Sequence, residues 1–126
     1  MTASGEVGDR RARGATLRVP FVARCTLRFP DGRRDSGLTV NVNELGAYIA
    51  AETLPHVGES LGCRFALPSN PGEVRATGRV AWINPRSPRL AGALPAGFGL
   101  QFDPVSEAER RALEGVVRAY LADPAG

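Results

Sequence analysis

Phe21-Val22-Ala23-Arg24-Cys25-Thr26-Leu27-Arg28-Phe29 alternates without a break, with Phe21, Ala23, Cys25, Leu27 and Phe29 on one side and Val22, Arg24, Thr26 and Arg28 on the other. A period of two belongs to extended chain with one face in a core and the other in water. The stretch predicts a half-buried strand. Pro30-Asp31-Gly32 supplies turn chemistry, and alternation resumes with Leu38, Val40 and Val42 against Thr39, Asn41 and Asn43. Both asparagines are thereby expected on the face opposite the apolar one.

Further along, Gly46 interrupts the pattern, as a bulge or tight bend would, and Ala47-Tyr48-Ile49-Ala50 continues as extended chain. Leu61, Cys63, Phe65 and Leu67 mark another strand. After a turn over Pro68 to Gly72, Val74, Ala76, Gly78, Val80 and Trp82 mark the next, and Phe98, Leu100 and Phe102 the last. Asn84 to Gly97 is rich in Pro, Gly and Ala and reads as a loop. The period changes after Pro104. Ser106 with Glu109 three residues on is a capping box, and Leu113, Val116, Val117, Tyr120 and Leu121 recur at helical spacing, with a stop near Asp123-Pro124. The fold class is therefore mainly β: a small antiparallel six-stranded β-barrel with one C-terminal α-helix.

The 126 residues suffice for one domain, and 15 Gly with 10 Pro favour many short strands. Residues 1–9 read as a disordered tail, 10–122 as the domain with an Arg-rich arm, and 123–126 as a second tail. Every basic residue is Arg, an even bias that points to coding preference. The net charge of +3 is mild but uneven, since residues 1–34 carry eight Arg against Glu6, Asp9 and Asp31. An anionic partner would be drawn to that quarter of the chain. Cys25 and Cys63 fall on apolar stripes and read as reduced core thiols. Neither a signal peptide nor a membrane-spanning run is apparent, so a cytoplasmic location and no membrane insertion are expected.

Enzymatic chemistry finds no support. His56, the one imidazole, lies in a predicted loop beside Pro55, no metal-ligand set or cofactor motif is recognisable, and carboxylates occur singly or in turns. A single-stranded nucleic-acid-binding barrel is a weaker alternative, because all five Phe sit on inward stripes and only Tyr48 and Trp82 remain as stacking platforms, with barrel-wall packing as the competing reading of both.

The informative set is Arg10, Arg11, Arg13 and Arg18 ahead of the first strand, then Asn41-Val42-Asn43-Glu44-Leu45-Gly46. Guanidinium groups pair with phosphates and stack on guanine, Asn can bond a purine edge, and Gly admits close backbone approach. A solvated basic tail and a simple turn are the competing readings of the same residues.

At these positions the sequence resembles the PilZ domain family. Arg18-Val19-Pro20-Phe21, Thr39 to Ile49, Val57-Gly58-Glu59, Gly78 to Trp82 and Gly97 to Phe102 match its landmarks in order. The resemblance implies a small barrel with a C-terminal helix, an Arg-x-x-x-Arg segment that wraps around cyclic-di-GMP, and an Asp/Asn-x-Ser-x-x-Gly motif on the barrel face. Carried over, it makes Arg18, Asn41, Asn43 and Gly46 ligand residues, with Arg10, Arg11 and Arg13 as a clamp. Two positions depart from the pattern. Gly14 stands four residues before Arg18, with Arg13 one residue out of step, and Asn43 stands where the family has Ser. The implied function is that of a non-catalytic adaptor for motility, polysaccharide or regulatory machinery. A degenerate interaction module that binds no nucleotide is the alternative.

Overall fold

β3 (Arg34–Asn43) organises the molecule because each part of it serves a different neighbour. Its first half pairs antiparallel with β2 (Arg24–Arg28), from Arg28↔Arg34 to Arg24↔Leu38. Its second half pairs with β4 (Gly46–Ala50), from Leu38↔Ala50 to Asn43↔Gly46. β2 continues to β5 (Ser60–Ala66), then to β6 (Glu73–Asn84), β7 (Gly97–Phe102) and back to β4. The β3–β4 pairing closes a six-stranded antiparallel barrel, which removes free edges. A two-residue β1 (Val19–Pro20) adds to β3 through Val19↔Val42 and Pro20↔Asn41. The computed structural model describes residues 17–68, 72–85 and 94–122. Arg10, Arg11, Arg13, Gly14, both terminal tails and most of the loop before β7 lie outside the described residues.

The alternation from Phe21 to Phe29 sorts its side chains as expected. Cys25, Leu27 and Phe29 are buried, Phe21 and Ala23 pack partly against the core, and Val22, Arg24, Thr26 and Arg28 are exposed. The strand itself is shorter than its pattern, because residues 21–23 leave the regular ladder. Thr39 bridges that gap, its hydroxyl accepting from the Ala23 N–H at 2.8 Å and donating to the Phe21 carbonyl at 2.6 Å. β1 and β2 thus run along β3 as one interrupted strand.

The expected sides of β3 need a correction. The register with β4 shifts between Thr39 and Asn41, a bulge that reverses the in–out phase. Thr39 is consequently buried and Leu38 is 46% exposed, whereas beyond the bulge Val42 is buried as expected. A second shift lies between Val80 and Trp82, and Trp82 points outward instead of continuing the stripe of Val74, Ala76 and Val80. Gly46 is neither a bulge nor a bend. The turn is Glu44-Leu45, and Gly46 opens β4 in register with both neighbours. Gly32, Gly58 and Gly72 take the positive-φ turn positions.

α1 (Glu107–Ala122) starts at the expected capping box. Glu109 N–H donates to the Ser106 hydroxyl and Ser106 N–H to the Glu109 carboxylate, both at 3.1 Å. The other Glu109 oxygen accepts from the Arg75 N–H at 2.8 Å, which pins the start of the helix to β6. Ala112 and Leu113 are buried in the barrel core and Val116 packs partly on it. The expected stripe runs out before the helix does, leaving Tyr120 and Leu121 exposed. Along its length α1 lies against β3 and β1.

Candidate functional site

Where β1 joins β3, the chain places a cation over bare backbone. The antiparallel register that sets Val19 opposite Val42 carries Arg18 to the side of Asn43. Arg18 is half-buried, and loss of solvent draws its pKa below the ordinary value, although a guanidinium stays protonated at neutral pH. Among the described residues it has no hydrogen bond or ion pair. One of its terminal nitrogens stands 3.0 Å from the point a Cβ on Gly46 would occupy, and that Cβ would also meet the Leu100 carbonyl oxygen at 2.3 Å. Only glycine leaves room for both the backbone of β7 and the guanidinium.

Asn41 and Asn43 share the outward side of β3, as the sequence indicates, but they differ in what they do. Asn43 is 1% exposed, and its side-chain oxygen accepts from the N–H groups of Leu45 at 2.8 Å and Gly46 at 3.0 Å. That oxygen builds the turn that presents Gly46. Asn-x-x-Gly is a turn signature for this reason. Asn41 is the opposite case, for its side-chain oxygen is buried with no hydrogen-bond partner among the described residues. A buried acceptor in that condition costs about 1–3 kcal/mol until a donor reaches it.

Next to Asn41 on the same outward row comes Tyr48, then Gly99, then Trp82. The Trp82 ring lies over Gly99, where a Cβ would fall 2.3 Å from its ring nitrogen, and stacks on Tyr48 with centroids 5.2 Å apart. The Tyr48 hydroxyl donates to the Pro95 carbonyl and accepts from Asn84 at 3.1 Å, tying the face to the β6–β7 connection. Tyr48 is fully packed, so of the two aromatic candidates only Trp82 presents a ring to solvent.

The structure therefore brings together Arg18, Asn41, Asn43 and Gly46, and leaves Arg10, Arg11 and Arg13 outside the described residues. The assembled groups are a partly desolvated cation, a buried acceptor without a partner among the described residues, glycine backbone and an aromatic wall. They suit a ligand that is anionic, planar and rich in N–H donors. Among the described residues no three His, Cys, Asp or Glu side chains gather as metal ligands, and His56 is an exposed side chain beside Glu59. No helix among them is long and apolar enough to cross a membrane.

The PilZ domain family model matches residues 9–119. The chain belongs to the PilZ family. No curated protein matches it by sequence. Among solved structures, the Bacillus subtilis inhibitor of motility MotI/DgrA is similar at a TM-score of 0.67 and 18% identity, over 84% of this chain and 50% of that one, so this PilZ chain spans half the length of MotI. The PilZ domain of YcgR from Escherichia coli, determined with cyclic-di-GMP, is similar at 0.63 and 12% identity, over 86% and 91% of the two chains. The PilZ domain of CeSA from a cellulose synthesizing bacterium follows at 0.56 and 14%, over 83% and 98%. At such identities the likeness is one of fold. PilZ domains act as receptors and adaptors, and the Arg18, Asn41, Asn43 and Gly46 cluster lies where the two PilZ motifs of this sequence meet.

Proposed function

We propose that this PilZ domain is a cyclic-di-GMP receptor of the adaptor type, with its ligand seated over Gly46. The observation that supports this most is Arg18, a half-buried guanidinium that has no counter-charge among the described residues and leans over glycine backbone. Partly desolvated cations are costly unless paired, and a phosphate arriving at Gly46 supplies the pair, bidentate if it approaches in the guanidinium plane. The Asn41 oxygen, buried and without a partner among the described residues, is an acceptor for the N–H donors on a guanine edge once a ligand edge reaches it. YcgR supports the reading from outside, since a PilZ domain of this fold has been determined with cyclic-di-GMP.

In this reading Arg10, Arg11 and Arg13 close over the bound nucleotide. Their closure over the nucleotide changes the surface offered to a protein partner, in motility, polysaccharide or regulatory machinery. In the same reading Arg13, one residue out of step, takes the role of the arginine that Gly14 replaces.

Asn43 favours a second reading, a degenerate module that presents a constant surface. Its side-chain oxygen is committed to the turn, so it adds no acceptor for a ligand, and Gly14 removes the in-register arginine. Calorimetry with cyclic-di-GMP at moderate salt separates the two. The receptor gives heat with a dissociation constant in the micromolar range or tighter, lost in Arg18→Ala and weakened in Asn41→Ala. Neither heat nor thermal shift at high micromolar nucleotide establishes the constant module instead.

A further inference from the structure

Asn43 pairs with Gly46, Gly46 with Gln101, and Gln101 with Arg79, so one row of the barrel wall runs unbroken from β3 across β4 and β7 to β6. Residues opposite one another in an antiparallel ladder point to the same side. Val42, Ala47, Leu100 and Val80, the residues adjacent in sequence, are all buried in the core. The row therefore faces outward, and Gln101 and Arg79 are both exposed.

We propose that Arg79 and Gln101 form the far side of the ligand site, Arg79 taking the second phosphate of a cyclic dinucleotide and Gln101 the edge of a guanine. The inference rests on the receptor reading above. Neighbouring strands are about 4.8 Å apart, so the Arg79 backbone lies about 10 Å from Gly46, a span bridged by an extended arginine side chain and a dinucleotide. Arg18 already leans over Gly46 from the β1 side. A ligand carrying two phosphates thus meets one guanidinium from each side of a glycine floor.

Two features single out Arg79. Other arginines on the barrel exterior are neutralised, since Arg64 and Arg75 share Glu73, and Arg33 is paired with Asp31 and Glu59. Arg79 has no such pair among the described residues. Arg24, Arg28 and Arg34 are also without an ion pair among the described residues, but they lie on β2 and the first half of β3, off this row. The second feature is Gln101, whose amide offers both a donor and an acceptor one strand from Gly46. A guanine edge carries both kinds of group next to each other, so the amide can pair with it twice; adenine carries a donor beside an acceptor as well, so Gln101 adds affinity for a purine edge and not a choice between purines.

Calorimetry on the full chain tests the inference, with cyclic-di-GMP and cyclic-di-AMP as probes at two salt concentrations and circular dichroism as the folding control. Arg79→Ala is expected to weaken cyclic-di-GMP at least tenfold and to flatten the salt dependence of affinity, because one phosphate contact is lost. Arg79→Lys should recover part of the loss. Gln101→Ala should weaken cyclic-di-GMP at least threefold and weaken any cyclic-di-AMP binding with it. Arg79→Ala binding within twofold of the parent, with the same salt dependence, overturns the Arg79 assignment while the receptor reading stands. Cyclic-di-GMP affinity within twofold of the parent in Gln101→Ala overturns the Gln101 assignment in the same way. A parent protein that gives no heat overturns the receptor reading, and this inference falls with it.

Discussion

Arg18 and Gly46 are held in contact range by strands that meet on opposite edges of β3, with a guanidinium nitrogen 3.0 Å from the place of the missing Cβ. Adding a methyl group there drives it into the Leu100 carbonyl oxygen at 2.3 Å, which the backbone cannot evade without breaking the Gly46↔Gln101 pair. Gly46→Ala should cost about 1–3 kcal/mol of stability and abolish nucleotide binding. Urea denaturation and calorimetry read the two effects separately, and parent-like stability would show that β4 and β7 are not so closely packed.

Asn43 is expected to matter more to the turn than to any ligand. Asn43→Ala leaves the Leu45 and Gly46 N–H groups without their acceptor and should lower stability by about 1–3 kcal/mol. Asn43→Asp keeps an acceptor in place and should fold almost as well, while its added negative charge disfavours an anion at Gly46. Equal stability of the Ala variant and the parent would remove the turn role.

The protein has a single tryptophan, and it covers Gly99. Gly99→Ala puts a methyl group where the indole nitrogen now is, so Trp82 must leave its stack on Tyr48. Its fluorescence should shift to the red and become easier to quench with iodide. An unaltered spectrum would mean that the ring does not lie over the backbone of β7.

Glu109 gives the helix cap a pH dependence. Burial raises its pKa, but the N–H groups of Arg75 and Ser106 and the Ser106 hydroxyl outweigh it and hold the carboxyl below its ordinary value. A folded pKa below the unfolded one contributes stability that is complete above about pH 4.3 and lost as pH falls through the lowered value. The stability gap between the parent and Glu109→Gln should therefore be constant near neutrality and close in acid. Ser106→Ala should cost about 1 kcal/mol. A gap that widened in acid would contradict the assigned shift.

Cys25 and Cys63 hydrogen-bond one another inside the core, and that bond, with burial second, holds the Cys63 thiol well above its ordinary value. Thiolate is the reactive form, so a maleimide should label Cys63 only as fast as the barrel unfolds. Rapid labelling of the native protein would place the thiol nearer the surface than the sheet allows.

The strands and the helix start are legible in the residues because each rests on local chemistry: alternation at Cys25, Leu27 and Phe29, turn residues at Asp31-Gly32, a reciprocal cap at Ser106 and Glu109. The bulges are not. One extra residue at Val40 or Ala81 resets the phase of a strand with no marker in composition, which is why Leu38 and Trp82 face outward against their patterns. Tyr120 and Leu121 mislead differently, since helical periodicity continues past the point where the barrel ends beneath it. At the site, the shared side of Asn41 and Asn43 can be read from their spacing, and Asn-x-x-Gly already hints at the turn. Gln101 and Arg79 lie in stretches that resemble family landmarks, but nothing in those stretches marks them as neighbours of Gly46. Strand register puts the three in one row, and register is a property of the closed barrel.

The regular ladder is interrupted at residues 21–23, where the Thr39 hydroxyl and two backbone bonds bridge the gap, so opening along β3 is expected in two stages. Residues 17–20 are fastened by the pairs Val19↔Val42 and Pro20↔Asn41 and by the buried Val19 side chain, whereas releasing β2 would uncover Cys25 and Leu27 and unzip β5 as well. The free energy of the first opening is a small part of that of global unfolding. In the receptor reading, Arg18 rides on the more lightly fastened segment, so ligand exchange is expected to follow the release of two strand pairs and the bonds of Phe21 and Thr39 and not global unfolding.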